Sequence, residues 1–249
     1  LLLREGAIVS VTESSESDEV AKNARLLRKE RINVETGGHT EKFLKGTELL
    51  VVSPGVQDSS LPIRYAEKMN VPVISEMELG YNFCKGRIVA VTGTNGKSTV
   101  VSIIGAVLHG AGFRVNVCGN IGNPLSGETT RIDKETICVV EVSSFQLERI
   151  IYFRPEIAVI LNITPDHLDR YRSFEEYRDF KARIFENQKS GDILILNDAD
   201  KGLRELAKGK KIRSRVIYFN NMDSRFRGND RLRGAHNLEN VMAAGAVAE

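Results

Sequence analysis

The sequence predicts an α/β protein built on parallel β-sheets. Short apolar runs rich in β-branched residues alternate with longer segments of helical periodicity along the 249 residues. This alternation is typical of βαβ units. One apolar run, residues 88–91, leads through a glycine-bearing turn straight into a helical pattern that begins at Lys97. The chain is long enough to form one large domain or two modest ones, each with a hydrophobic core.

The first part of the chain predicts a parallel sheet with connecting helices. We expect strands over residues 7–12, 48–53 and 71–74, and helices over residues 16–31 and 61–69. A dinucleotide-binding sheet usually opens with a strand and a glycine-rich loop, and that pair is missing here. The sequence therefore predicts only part of such a domain in this region.

Candidate ligand contacts follow two of these strands. Thr12, Glu13 and Ser14 lie at the end of the first strand, while Ser53 and Gly55 belong to the turn after the second. Ligands of open parallel sheets bind at the carboxyl ends of the strands. The same residues also suit ordinary strand-ending turns, so both interpretations stay open.

The turn after residues 88–91 predicts a nucleoside triphosphate site. Backbone N–H groups and the helix N-terminus would face the phosphates, with Lys97 at the β- and γ-phosphates and the Ser98 hydroxyl on Mg²⁺. The common phosphate-loop pattern has glycine where this chain has Val91. An ordinary tight turn is the alternative, but it does not require the Lys-Ser-Thr run that follows. The expected nucleotide contacts are Gly93, Thr94, Asn95, Gly96, Lys97, Ser98 and Thr99.

Three further strands should deliver polar groups to the same edge of the sheet. They are residues 114–117, followed by Asn120; 137–142, which carries Glu141; and 157–161, followed by His167. A carboxylate that closes an apolar strand beside a phosphate loop commonly holds Mg²⁺, directly or through water. A lone glutamate or histidine is more often structural, but their coincidence at one edge indicates a site.

The remaining elements carry weaker signals. An amphipathic helix is expected over residues 173–187, and within it the composition favours a solvated Lys181. Strands are expected over residues 191–196 and 215–219, followed by an exposed arginine-rich loop over residues 220–233.

A second place to meet a nucleotide lies near the end of the chain. Asn237 and Asn240 stand near the start of a helical pattern rich in small residues. Their side-chain amides can contact a ligand at the N-terminus of that helix.

Composition excludes several classes of function. A net charge of +2 creates no field that would favour nucleic acid or an anionic membrane. No apolar run approaches the roughly 20 residues of a membrane span. Cys84, Cys118 and Cys138 are odd in number and set among apolar neighbours, so we expect reduced core thiols and a cytoplasmic protein. The sequence starts with Leu1 and stops within a helical pattern at Glu249, so we expect a chain truncated at both ends.

Four runs of the sequence resemble, in this order, the motifs of the Mur ligase family. They are residues 93–99, 141–148 (Glu-Val-Ser-Ser-Phe-Gln-Leu-Glu), 162–171 (Asn-Ile-Thr-Pro-Asp-His-Leu-Asp-Arg-Tyr) and 234–240 (Gly-Ala-His-Asn-Leu-Glu-Asn). The resemblance runs from about Glu48 to the end. It also accounts for Val91, because the family's phosphate loop lacks the first glycine. The second and third runs most resemble the members that use D-glutamate.

The resemblance implies three domains, of which this chain would hold two. These are a partial Rossmann-like UDP-sugar-binding domain over residues 1–83 and a P-loop-type ATPase domain over residues 84–249, with the C-terminal amino-acid-binding domain absent. In the implied reaction, ATP phosphorylates the carboxylate of UDP-N-acetylmuramoyl-L-alanine, and the amine of D-glutamate attacks the acyl phosphate. The expected cofactors are ATP and Mg²⁺, and the expected protein is a monomer in peptidoglycan precursor synthesis.

The resemblance also implies a role for individual residues. Lys97 would bind the phosphates, Ser98 and Glu141 the first Mg²⁺, and His167 the second. Lys181 matches a lysine that is carbamylated in the family and would share that second Mg²⁺. Further expected contacts are Asn120, Ser143 and Ser144 along the substrate, Asn237 and Asn240 near the adenine, and Thr12, Glu13, Ser14, Ser53 and Gly55 on the uridine diphosphate side.

Two alternatives remain at this stage. A folylpolyglutamate synthetase shares the ATPase core, but it should lack both the sheet before the phosphate loop and the Ser-Ser-Phe-Gln-Leu-Glu run, and this chain has both. The second alternative is a fragment that binds nucleotide and UDP-sugar without turnover, because the amino-acid domain is absent. We expect the 249 residues alone to be inactive.

Overall fold

The computed structural model describes residues 1–167, 169–219, 240 and 243–247. These residues divide into two compact units, Leu1–Ile74 and Ser75–Glu249. The division falls before the boundary predicted at residue 83, so the helix that follows Ser75 belongs to the second unit. Each unit is α/β. The strands of the sheet that opens the first unit are parallel, as are all neighbouring strands of the large sheet in the second unit, which confirms the predicted fold class.

The first unit contains two small sheets and three helices. Its elements in order are β1 (Ser10–Glu13), α1 (Asp18–Lys29), β2 (Asn33–Thr36), α2 (Glu41–Leu44), β3 (Leu50–Val52), α3 (Leu61–Lys68) and β4 (Val73–Ser75). Strand β1 pairs with β2, and β3 pairs with β4. Strand β2 escaped prediction because Val34 is its single apolar residue, so its sequence carries no alternation.

A side-chain cap stabilises the start of α1, and charged residues stabilise both of its ends. Ser17 accepts a hydrogen bond from the Val20 amide at 3.3 Å, which satisfies one of the unpaired N–H groups of the first turn. Asp18 and Glu19 lie in the first turn, and Arg28 and Lys29 lie in the last. These charges oppose the helix dipole at both ends and stabilise the helix.

The second unit is organised on a six-stranded parallel sheet in the order β10-β9-β8-β5-β7-β6. Its strands are β5 (Arg87–Thr92), β6 (Arg114–Gly119), β7 (Thr136–Glu141), β8 (Ile157–Ile160), β9 (Ile193–Asn197) and β10 (Arg215–Phe219). Its helices are α4 (Glu76–Phe83), α5 (Lys97–Gly110), α6 (Leu125–Glu128), α7 (Ser144–Leu147), α8 (Phe174–Ala182) and α9 (Lys201–Gly209). The strands that the sequence predicts in this region are all present.

The sheet separates two hydrophobic cores. Alternate residues of β5 enter different cores, with Ile88 and Ala90 in one and Val89 and Val91 in the other. A strand buried on both faces has no polar alternation, which explains its continuous apolar sequence. Because β5 lies between β8 and β7, the turn that follows it emerges beside the ends of both neighbours.

Helix α8 is shorter than predicted. It ends at Ala182 and continues as a 3-10 turn over Arg183–Phe185, whereas the periodicity predicts one helix over residues 173–187. Four helices of the described residues, α2, α6, α7 and α9, were not predicted. Helix α9 was missed although its sequence carries a signal, since Asp200 caps its start and Leu203 and Leu206 are buried three residues apart on one face. No helix in the described part of the chain is long and apolar enough to cross a membrane.

Candidate active site

The phosphate loop joins β5 to α5, as the sequence predicts. Gly96 is the N-cap of α5 and has φ of 84°, a conformation that glycine adopts without strain. A Cβ at this position would also approach the Asn240 side-chain oxygen to 2.5 Å. The first N–H groups of α5 have no partner within the helix, so this turn presents donors to an anion. Ser98 and Thr99 lie exposed on the first turn.

Lys97 folds back over the loop. Its Nζ donates hydrogen bonds to the carbonyl oxygens of Gly93 at 3.0 Å and Thr94 at 2.9 Å. Burial lowers the pKa of Lys97, and the carboxylates of Glu141 and Asp166 oppose that shift. The ammonium group is therefore held by two weak neutral acceptors, which a phosphate can replace.

Glu141 closes β7 next to the loop. It is 2% exposed and lies in register with Val91 of β5 and Gly119 of β6. One carboxylate oxygen accepts a hydrogen bond from the Asn120 side chain at 2.9 Å. The other oxygen is buried and has no hydrogen-bond partner among the described residues. A buried carboxylate oxygen without a donor suits a cation.

The donor set fits Mg²⁺ bound together with phosphate. No group of three or more His, Cys, Asp or Glu side chains in the described residues could hold a metal ion by itself. Mg²⁺ commonly uses one or two carboxylates and completes its shell with water and substrate phosphates. Glu141 and the hydroxyl of Ser98 would be the protein ligands of such a site.

Lys181 is buried, so the solvated lysine favoured by composition is wrong. The residue is 2% exposed, and its Nζ donates to the Gly93 carbonyl oxygen at 2.9 Å and lies 4.7 Å from the Tyr177 ring centroid. Burial and, to a smaller extent, the positive charge of Lys97 lower the pKa of Lys181 to about 7, and the carboxylate of Asp166 opposes this shift. A lysine with this pKa is partly neutral at physiological pH.

His167 lies in the loop after β8. Its backbone has φ of 52°, its ring is 5.0 Å from the Phe145 ring, and its Nε2 is 3.6 Å from an Asp166 carboxylate oxygen. The side chain is 46% exposed. It is therefore accessible to a ligand, and its assignment to a second Mg²⁺ stays a prediction.

Two predicted substrate contacts, Ser143 and Ser144, have hydrogen-bond partners within the protein, and their contact with substrate stays a prediction. Ser143 forms a capping box with Gln146 at the start of α7. Ser144 is 2% exposed and interacts with the phenol of Tyr171. Asn120, by contrast, is an exposed residue that holds Glu141. Asn237 and residues 220–233 lie outside the described residues.

The predicted contacts of the first unit lie at strand ends. The Thr12 hydroxyl is bonded to the Glu35 carboxylate at 3.2 Å and to Nδ1 of His39 at 2.7 Å. Glu13 accepts from the Ser15 amide at 2.9 Å, and this bond contributes most to lowering its pKa. Ser53 and Gly55 are exposed in the turn after β3, and Ser14 is exposed after β1. Both interpretations of these residues remain compatible with that placement.

Sequence reasoning missed two residues of the site. Asn162 bonds the phosphate loop with its side chain, and the Tyr177 hydroxyl lies 3.3 Å from the Thr94 hydroxyl. Asn162 lies within one of the four motifs and directly after an apolar strand. These two features could have identified it as a residue of the site. Tyr177 gave no such signal, because an apolar helix position is usually core.

Fold and site together define an α/β protein with a phosphate loop at the centre of a parallel sheet. Residues 91–231 match the family described as the Mur ligase middle domain, and residues 1–75 match the Mur ligase MurD-like N-terminal domain. The chain therefore belongs to the Mur ligase family, whose members are ATP-dependent ligases. The family resemblance that the motifs indicated is confirmed.

Its relatives include UDP-N-acetylmuramoylalanine–D-glutamate ligases. The one from Koribacter versatilis is 40% identical over 99% of this chain and 59% of its own length. The one from Desulfosudis oleivorans is 42% identical over 88% of this chain and 47% of its own length. The chain thus spans about half the length of the curated relatives it matches.

Solved structures of other Mur ligases share the fold. A UDP-N-acetylmuramate:L-alanyl-γ-D-glutamyl-meso-diaminopimelate ligase from Neisseria meningitides superposes with a TM-score of 0.66 at 18% identity, over 98% of this chain and 86% of that one. A MurF ligase from Thermotoga maritima in complex with ADP gives a TM-score of 0.52 at 16% identity, over 82% and 60%. At these identities the likeness concerns the fold alone.

Proposed function

We propose that this chain is the UDP-sugar- and ATP-binding part of a ligase that joins D-glutamate to UDP-N-acetylmuramoyl-L-alanine. The names of relatives at about 40% identity support the choice of substrates. The MurD-like match over residues 1–75 argues against a folylpolyglutamate synthetase, which should lack that region. The proposed protein is monomeric and cytoplasmic and acts in peptidoglycan precursor synthesis.

One observation carries the proposal. Lys97 and Lys181 both donate to the Gly93 carbonyl oxygen, and the carboxylate of Glu141 lies close enough to Lys97 to oppose the lowering of its pKa by burial. Transfer of a phosphoryl group between two anions depends chiefly on positioning and on neutralising charge. A partly buried ammonium at Lys97, a buried amine at Lys181 and a carboxylate oxygen without a protein partner at a phosphate loop are suited to that task.

The reaction would proceed in two steps, transfer of a phosphoryl group and then formation of the amide. A carboxylate oxygen of the muramoyl-alanine attacks the γ-phosphorus of ATP, the bond to the β-phosphate oxygen breaks, and ADP leaves. The amine nitrogen of D-glutamate then attacks the acyl carbon, inorganic phosphate leaves, and the amine loses a proton. Lys97 would hold the β- and γ-phosphates, and the N–H groups at the start of α5 would orient them. Bound Mg²⁺ supplies additional positive charge to the phosphates.

Lys181 is proposed to be carbamylated. Its ammonium would first lose one proton, and the neutral amine would then attack CO₂, forming an N–C bond and releasing a second proton, so that a cation becomes an anion with two oxygens. Such oxygens suit Mg²⁺, which an ammonium repels. The lowered pKa of Lys181, about 7, leaves the nucleophilic amine available. The carbamate would also replace the repulsion between Lys97 and Lys181 with attraction.

The proposal is tested with the full-length protein and with the 249-residue chain in parallel. Phosphate release from ATP is measured with UDP-N-acetylmuramoyl-L-alanine and D-glutamate, with L-glutamate and L-alanine as control amino acids. We expect release with D-glutamate from the full-length protein, and no ligation by the 249-residue chain. Equal release with each amino acid, or none at all, would overturn the substrate assignment. Ligation by the shorter chain would overturn the expectation that it is inactive.

A further inference from the structure

We infer that Asn162 is a positioning residue that holds the phosphate loop in its nucleotide-binding shape. The inference rests on the proposed function, since the loop must bind a nucleotide for its shape to matter. Asn162 follows β8, on a neighbouring strand of the sheet, and it is separated from the loop by more than sixty residues of sequence. It contacts the loop rather than the core.

The side chain of Asn162 binds the loop at three points. Its Oδ1 accepts from the backbone N–H groups of Thr94 at 3.1 Å and Asn95 at 2.9 Å. Its Nδ2 donates to the Asn95 carbonyl oxygen at 3.1 Å. Only a primary amide offers an acceptor and a donor in this arrangement. Both hydrogen-bonding groups of Asn95, together with the N–H of Thr94, are thereby fixed.

The backbone around Asn162 is itself anchored. The Asn162 carbonyl oxygen accepts a second bond from the Thr94 N–H, at 3.0 Å. The next residue, Ile163, donates its N–H to the Asp200 carboxylate at 3.1 Å, and Asp200 also caps α9. A side chain supported in this way can determine the position of the loop it binds.

The backbone N–H groups of the phosphate loop therefore serve two different purposes. The N–H groups of Thr94 and Asn95 are occupied by Asn162, so the donors left for phosphate are those that follow Gly96 at the start of α5. Asn162 also fixes the direction of the Gly93 carbonyl, to which both lysines donate, because the Thr94 N–H that it holds belongs to the same planar peptide group. We call the hydrogen bonds from Asn162 to Thr94 and Asn95 the clamp. Loss of the clamp should weaken nucleotide binding more than it lowers the stability of the protein.

The experiment compares Asn162→Ala with Asn187→Ala in the full chain. Asn187 is a matched control, because its amide also ties a loop, donating to the Ile151 and Phe153 carbonyl oxygens at 3.0 and 3.1 Å, and it plays no part in the phosphate loop. Calorimetry gives the Kd for ADP, thermal unfolding gives Tm, and hydrogen exchange reports the amides of residues 94 and 95.

We expect Asn162→Ala to raise the Kd for ADP about tenfold, the equivalent of losing one or two net hydrogen bonds. Exchange at residues 94 and 95 should rise by a similar factor. Asn187→Ala should lower Tm at least as much and leave Kd unchanged. A Kd within twofold of wild type in a folded Asn162→Ala protein overturns the inference. So does an equal rise in Kd for Asn187→Ala.

Hydrogen exchange separates this inference from the proposed function. If the wild-type protein does not bind ADP, the proposed function fails, while slow exchange at residues 94 and 95 still tests the clamp. If Asn162→Ala does not fold, Asn162→Asp serves, because it keeps the oxygen that accepts from both amides. Those amides should then stay protected while the added negative charge raises the Kd for ADP. Fast exchange in the Asp variant overturns the clamp.

Discussion

Lys97 and Lys181 donate to one and the same acceptor, the carbonyl oxygen of Gly93, at 3.0 and 2.9 Å. Two ammonium groups on one oxygen repel each other, and the positive charge of Lys97 is one of the causes that lower the pKa of Lys181. The repulsion between the two lysines would be relieved by an anion bound between them or by loss of the positive charge on one of them. The arrangement therefore favours both a bound phosphate and a neutral Lys181.

Replacement of Lys97 should abolish nucleotide binding without unfolding the protein. Lys97→Ala removes a cation that faces the ligand side of the loop, so we expect the Kd for ATP to rise by about 100-fold or more, with Tm close to wild type. Titration calorimetry measures the affinity. The control is Lys210→Ala, because Lys210 pairs with Asp179 on the surface. This variant should bind ATP with the affinity of the wild type. Near-normal affinity in folded Lys97→Ala would exclude the proposed role of this lysine.

Stability should depend on pH through Lys181. Its pKa is about 7 in the folded protein, against 10.5 for an exposed lysine, so between these values the unfolded state binds more protons. Stability contributed by this group therefore increases as pH rises through that window, by up to about 1.4 kcal/mol per pH unit. Urea unfolding of wild type and Lys181→Met at pH 7, 8 and 9, in CO₂-free buffer, should show this slope in wild type only. Equal slopes would refute a buried, deprotonating Lys181.

The phosphate loop could be predicted from sequence, whereas its supports could not. The residues from Gly93 to Thr99 form one continuous motif, and local chemistry alone indicates an anion site. The burial of Lys181 depends on how α8 packs, and a lysine among charged neighbours gives no sign of it. The clamp by Asn162 depends on strands that are adjacent in the sheet but distant in the sequence. The hydrophobic periodicity of a sequence indicates which face of a helix or strand is buried. It does not indicate which side chains of different elements contact each other.

Short elements were missed for a related physical reason. Strand β2 is held by backbone pairing with β1, and its four residues include one apolar side chain. Helix α7 is four residues long and depends on the capping box of Ser143 and Gln146. Neither buries a repeating apolar face, so neither produces a hydrophobic period. The long strands carry continuous apolar runs and α5 carries a helical apolar period, and these elements were predicted.

Glu78 should be among the most important single side chains for stability. It is fully buried, and its carboxylate accepts from the backbone amides of Ile151, Tyr152 and Phe153 at 2.8 to 2.9 Å. Glu78→Ala leaves these donors unsatisfied, so we expect a loss of about 3 kcal/mol or more, measured by urea unfolding. Glu205→Ala, at an exposed position of α9, should change stability by less than about 0.5 kcal/mol. A loss below 1 kcal/mol for Glu78→Ala would contradict the predicted role.

Glu141 should govern the response of the protein to Mg²⁺. Its unpartnered buried oxygen offers a hard anionic ligand beside the phosphate loop, and Glu141→Gln removes that charge while nearly preserving shape. In wild type we expect Mg²⁺ to tighten ADP binding clearly, and in Glu141→Gln we expect the enhancement to fall to about twofold or less. Calorimetric titrations with ADP, with and without Mg²⁺, give both values.

The matched control for Glu141 is Glu128→Gln. Glu128 is also a buried carboxylate, 5% exposed, and it likewise accepts from asparagine side chains, those of Asn116 at 2.9 Å and Asn123 at 2.6 Å. Both of its oxygens have partners, so no cation is required there. Glu128→Gln should therefore lower stability and keep the full Mg²⁺ enhancement. If both variants keep the enhancement, Glu141 is not a metal ligand; if both lose it, the effect comes from general destabilisation rather than from the buried charge beside Lys97.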